Sequence, residues 1–227
     1  WESGIATTFT DVTFFRNSGG ALRYSDVWPL RMEMVDTDFL LNNYWWAASD
    51  QYMWGPAKGP ERLRGASSLS FVRVHQEHEG VEGLYGGPHA VWMVPDAFGG
   101  PDDEPASFDV VYDRWSSADF TGAMMPGIHV IPWPPPTTDL ALQLNIDFVE
   151  SSFSDTVGTV PGTWDGRFLI FSSGFGTVRV ARSRFLRNGN FGPAAIGGGG
   201  IAIWSPPTRI REDATVEFVG SEWIGNS

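Results

Sequence analysis

Residues 185–204 read FLRNGNFGPAAIGGGGIAIW: an aromatic three residues before an asparagine, then four glycines, then a short apolar alternation. Glycine loses more conformational freedom on folding than any other residue, so four in a row need a structural reason. A tight corner supplies one, because glycine reaches positive φ without steric cost and lets an extended segment begin directly afterwards. Asparagine tolerates a left-handed bend, and its amide reaches neighbouring backbone. On this reading Phe185 is a core residue, Asn188 a corner, and the glycines the entrance to the next strand.

The pattern repeats. Aromatic-x-x-Asn recurs at Phe14 and Asn17, at Phe39 and Asn42, and at Trp223 and Asn226. Apolar alternation of strand period precedes it: Met32, Met34 and Thr37; Val178, Val180 and Ser183; Val216, Phe218 and Ser221. Three weaker copies fill the middle, with Val74 and Glu77, Trp115 and Ala118, and Phe153 and Thr156 at the equivalent places. The shortest interval, Phe14 to Phe39, suits one bare coil of a parallel β-helix, and the longer ones leave room for loops. A glycine-led strand follows most anchors: GGALRY from Gly19, GGPHAVWMV from Gly86, GIHVIPW from Gly127, GRFLIF from Gly166 and GGGGIAIW from Gly197. Coils stacked about 4.8 Å apart set aromatic on aromatic and let one corner Asn bond the next.

This pairing of FxxN with GGAI-like strands resembles the repeats of the polymorphic outer-membrane protein family. More broadly, it is similar to right-handed parallel β-helix repeats of surface proteins. The resemblance implies an all-β, right-handed single-stranded solenoid and is nearly silent on function. The alternatives are a β-propeller and a β-sandwich, and the short first interval counts against a four-stranded blade.

The 227 residues hold 27 glycines, 16 prolines, 16 phenylalanines and 11 tryptophans, as expected for many short strands joined by turns in a single domain over 1–227. A formal net charge of -12 argues against a nucleic-acid partner. The absence of cysteine removes disulfides, thiolate metal sites and cysteine nucleophiles. No apolar run is long enough for a membrane helix. WESGIATT, with Trp1, Gly4, Ile5 and Ala6, reads as the strand that should follow the corner at Trp223 and Asn226. The expectation is therefore a chain that stacks head to tail on copies of itself, or on flanking segments of a longer polypeptide.

The insertions carry Trp45, Trp46, Trp54 and Trp133, candidates for packing on the solenoid wall, for a protein contact, or for holding cell-surface glycans. Thr137, Thr138, Ser205 and Thr208 flank short proline runs and are candidate O-glycan positions. Carboxylates that could serve carbohydrate cleavage are Asp102, Asp103 and Glu104; Asp109 and Asp113; and Asp36 with Asp38. RVHQEHEG would set His75, Glu77 and Glu79 on one strand face, the best metal pattern in the chain. His89 and His129 stand alone. None of these forms a convincing constellation, so no catalytic residue, metal or cofactor is expected. The reading is a secreted or cell-surface, non-enzymatic structural or adhesive solenoid, with a carbohydrate-active β-helix as the alternative.

Overall fold

The computed structural model describes residues 5–18, 21–25, 30–42, 51–54, 66–78, 89–93, 106–119, 121–122, 127–130, 142–158, 167–172, 176–190, 200–204 and 215–226. These form strands and corners without a helix. The first pass of the chain is β1 (Ile5–Phe15) and β2 (Leu22–Ser25), and the second β3 (Leu30–Leu40) and β4 (Gln51–Trp54). The third is β5 (Ala66–Val72), β6 (His75–Glu77) and β7 (His89–Met93). The fourth is β8 (Ala106–Asp113), β9 (Ser116–Ala118), β10 (Thr121–Gly122) and β11 (Gly127–Val130). The fifth is β12 (Leu142–Val149), β13 (Ser152–Ser154), β14 (Val157–Gly158) and β15 (Arg167–Ser172). The sixth is β16 (Thr177–Ala181), β17 (Arg184–Leu186), β18 (Gly189–Asn190) and β19 (Gly200–Trp204), and the seventh β20 (Thr215–Val219) and β21 (Glu222–Ile224).

Each pass adds one strand to each of several parallel stacks. The first wall runs β1-β3-β5-β8-β12-β16-β20. A second wall, β6-β9-β13-β17-β21, joins it through β3, which bends and pairs with both β5 and β6. A third sheet runs β2-β4-β7-β11-β15-β19, and β10-β14-β18 forms a short stack at a corner. Every pairing among the described residues is parallel, whereas propeller blades and sandwiches pair antiparallel strands. The arrangement is that of a stacked, solenoid-compatible all-β chain. The glycine-led segments supply the third sheet, and residues 51–54, placed by the sequence inside an insertion, add β4 to it.

The core is made of columns. Phe9, Met34, Phe71, Tyr112, Phe148, Val180 and Phe218 follow one another in register across the first wall. The Tyr112 and Phe148 rings stack at 4.4 Å and 6°, and Phe71 lies on Tyr112 at 5.1 Å. Burial pushes the Tyr112 phenol well above its usual pKa.

On the second wall the aromatic column is Phe14, Phe39, Gln76, Ser117, Phe153, Phe185 and Trp223. Val74 and Trp115 therefore do not stand in it. They occupy the position two residues earlier, where the other passes carry Thr37, Ser151, Ser183 and Ser221. Those serines form a ladder: Trp115 N donates to Ser151 Oγ at 3.0 Å, Ser151 N to Ser183 Oγ at 3.1 Å and Ser183 N to Ser221 Oγ at 3.1 Å. Trp115 explains the exchange. Its ring swings across the gap above Ser117 and lies flat against Phe153 (6.1 Å, 11°), while its indole N–H donates to buried Gln76 Oε1 at 2.7 Å.

The corner asparagines bond from pass to pass. Asn42 Oδ1 accepts from Asn17 N, Asn188 Oδ1 from Thr156 N and Asn226 Oδ1 from Asn188 N, at 2.9, 3.1 and 2.9 Å. Each amide also donates to the preceding anchor's carbonyl, Asn188 Nδ2 to Phe153 O at 2.8 Å and Asn226 Nδ2 to Phe185 O at 2.7 Å. Glu77 pairs with Leu40 and Ala118 with Glu77, two strand positions short of this column. The left-handed bend itself falls one residue before the asparagine, at Arg16, Leu41, Arg187 and Gly225, and before Thr156 in the fifth pass, at Asp155. A second left-handed position separates the two walls, at Asp11, Asp36, Arg73, Arg114, Glu150, Arg182 and Gly220. At most of these bends the N–H still reaches the next pass, as Arg73 N does to Asp113 O at 2.8 Å, so the ladder continues through the turn.

Asn188→Ala would leave the Thr156 amide and the Phe153 carbonyl buried without partners. The expected loss is about 1–3 kcal/mol in urea unfolding. Asn17→Ala, at a half-buried position, should cost clearly less, and equal losses would contradict the ladder.

Candidate functional site

The outward residues of the first wall form three columns of their own. In the fourth to sixth passes these are Asp109, Asn145 and Thr177; Val111, Asp147 and Arg179; and Asp113 and Val149, a column that ends at buried Ala181. A depression of about 360 Å³ opens over the first two, with exposed Val111 on its floor and Asp109, Asn145, Asp147, Thr177 and Arg179 at its edge; Val110 and Ile146 border it from beneath, their side chains buried in the core. Strand alternation explains the composition, since inward residues build the aromatic core and their neighbours must face solvent.

The polar edge is partly organised in advance. Asn145 Nδ2 donates to Asp109 Oδ1 at 2.7 Å, and Asn145 Oδ1 accepts from Thr177 N at 3.1 Å, so the amide is held from both sides. Gly176 makes this possible. A Cβ at that position would stand 2.4 Å from Asn145 Oδ1 and 2.9 Å from Gln143 Cγ. Arg179 divides its guanidinium between Glu217 at 3.3 Å and Asp147 at 3.5 Å. Asp147 Oδ1 has no hydrogen-bond partner among the described residues.

Of the residues singled out from the sequence, Asp109 lies in this depression, while Asp113 pairs with Arg114 at 2.7 Å. Asp36 sits at a left-handed corner and is bound by Arg73 at 2.5 Å. Asp38 faces outward beside His75 in the next pass. His75 and Glu77 do share one face: His75 Nδ1 lies 2.7 Å from Ser116 Oγ, and His75 Nε2 lies 3.2 Å from Glu77 Oε2. Gln76 and His78 are buried. No group of three or more His, Asp or Glu residues arranged to hold a metal occurs among the described residues. His89 pairs in register with Gln51, and His129 with Trp92 and Phe171. Trp54 ends β4, in register with Ser25 and Trp92. Ile5 and Ala6 open β1 opposite Leu30 and Arg31. Trp1, Gly4, Trp45, Trp46, Trp133, Thr137, Thr138, Ser205, Thr208, Glu79 and the carboxylates at 102–104 lie outside the described residues. No family model, curated protein or solved structure matches this chain.

Arginines hold three corner carboxyls below their usual range: Arg73 acts on Asp36, Arg114 on Asp113 and Arg187 on Asp155, in each case mainly by a direct hydrogen bond. Carboxyls depressed in the folded state add stability that is fully present above their unfolded pKa, near 3.8, and is lost as pH falls through the folded values. Thermal melts from pH 5 to pH 2 should therefore show an acid limb that Asp155→Asn makes shallower, with little change at pH 7 beyond the loss of one exposed ion pair. Gly176→Ala should displace Asn145 and cost about 1–3 kcal/mol by overcrowding, measured by urea unfolding.

Proposed function

We propose that this chain is a non-enzymatic structural and adhesive element of an extracellular surface, a right-handed parallel β-helix lengthened by stacking like coils end to end. One observation carries the reading. Val216, Phe218 and Trp223 continue the core columns into the seventh pass with 50%, 50% and 40% exposure, whereas their sixth-pass counterparts Val178, Val180 and Phe185 are at most 1% exposed. Two of the groups they present match in kind those of the first pass, Phe218 with Phe9 and Trp223 with Phe14, and Val216 has its steric counterpart in Thr7; Asn226 and Asn17 follow at the corner. A further coil of like sequence, from another copy or from adjoining sequence of the same polypeptide, would bury them and pair the open strand edge. The similarity to polymorphic outer-membrane protein repeats and the strongly negative charge favour a secreted or cell-surface setting without nucleic acid. Head-to-tail contacts of this kind do not close and give filaments.

Sedimentation and negative-stain microscopy of the chain should find elongated, concentration-dependent assemblies that Phe218→Asp with Trp223→Ser abolishes. Monomers at high concentration would contradict the head-to-tail reading. A second reading, a carbohydrate-cleaving β-helix, draws on the depression at Asp109. Turnover of a neutral or acidic polysaccharide that disappears in Asp109→Asn would favour it over the scaffold.

A further inference from the structure

We infer that the depression on the outer face of the first wall is a binding groove for neutral saccharide chains, held without cleavage. The inference rests on the adhesive part of the reading above and assigns it a place and a ligand class. A sugar ring offers an apolar C–H surface and a rim of hydroxyls that each donate and accept. The groove offers the complement: the exposed Val111 side chain on its floor, with carboxylate, amide, hydroxyl and guanidinium groups at its edge.

The edge has hydrogen-bonding capacity to spare. Among the described residues, Asp109 uses Oδ1 alone, toward Asn145. The second Asn145 amide hydrogen and the Thr177 hydroxyl have no partner there. Arg179 carries five donors and spends them on two contacts of 3.3 and 3.5 Å, both long for an ion pair. Acceptor and donor thus alternate along Asp109, Asn145 and Thr177 on consecutive strands about 4.8 Å apart. A hydroxyl that must do both jobs needs such an alternation. A phosphate or carboxylate ligand does not fit it, because Asp109, Asp147 and neighbouring Glu217 outnumber Arg179 and the whole chain carries a net charge of -12. Gly176 is a positioning residue here, since it leaves the space that Asn145 Oδ1 occupies.

Affinity electrophoresis of the full chain through gels containing soluble β-glucan, galactomannan or polygalacturonate tests the inference. The expected result is retardation by at least one neutral polymer and none by polygalacturonate. Asp109→Ala and Thr177→Val, both on the solvent face, should keep the urea midpoint while weakening retardation by about tenfold or more for Asp109. Gly176→Ala should weaken it as well. No retardation by either neutral polymer, equal retardation by polygalacturonate, or retention unaffected by Asp109→Ala overturns the inference. So does retention that is lost only in Trp133→Ala, because the ligand would then sit on an insertion. The scaffold reading stands or falls separately, on the sedimentation of the same samples without polysaccharide.

Discussion

Parallel in-register stacking makes each residue's nearest neighbour its own counterpart one pass away, and this constraint governs the composition of the whole wall. A column must hold side chains that tolerate company of their own kind at about 4.8 Å. Flat rings do so by stacking, as Tyr112 and Phe148 do at 4.4 Å and Phe185 and Trp223 do at 5.6 Å. Asparagine does so because its amide both accepts and donates toward the neighbouring pass. Serine does so by accepting an N–H from one pass while its hydroxyl donates to a carbonyl, as Ser183 donates to Ala181 O.

Charge obeys the same rule with the opposite outcome. Like charges repel when stacked, and three neighbours at the exposed corners pair opposite signs: Asp36 against Arg73, Glu150 against Arg182 and Asp155 against Arg187, the last at 2.6 Å; where Arg114 follows Arg73, Asp36 and Asp113 each bind one of the two. These corners carry positive φ on residues with long side chains, a conformation that costs about 1–2 kcal/mol per residue relative to an ordinary one. The continuous N–H ladder and, at these three pairs, an ion pair offset that cost. Exposure keeps each pair modest, so the corners trim the fold and the columns hold it.

How much of this was legible depends on whether a column's chemistry is uniform. At the two ends of the chain, Phe and Asn recur at fixed separation, and the repeat can be read directly. In the third and fourth passes the aromatic column holds Gln76 and Ser117, and the space is filled by Trp115 from two residues upstream. Aligning the largest apolar residues therefore slips the register by two. The corners misled for another reason: left-handed backbone was expected at asparagine and glycine, yet Arg, Asp, Glu and Leu carry most of it because the ladder leaves them no alternative. The groove was illegible altogether. Asp109 stands out in the sequence only as a carboxylate, and Asn145, Thr177 and Arg179 join it only across strands more than thirty residues apart, while Gly176 matters only through the atom it avoids.

The register is what every column depends on, and cross-linking measures it directly in a chain that has no native cysteine. Asp38 and His75 stand opposite each other on the outward face, whereas aligning Phe39 with Val74 would set Asp38 opposite Arg73. Neighbouring parallel strands place paired Cα atoms within the range a disulfide spans. Asp38→Cys with His75→Cys should therefore oxidise readily to an intramolecular disulfide in the folded chain, and Asp38→Cys with Arg73→Cys should not. The reverse pattern would contradict the account.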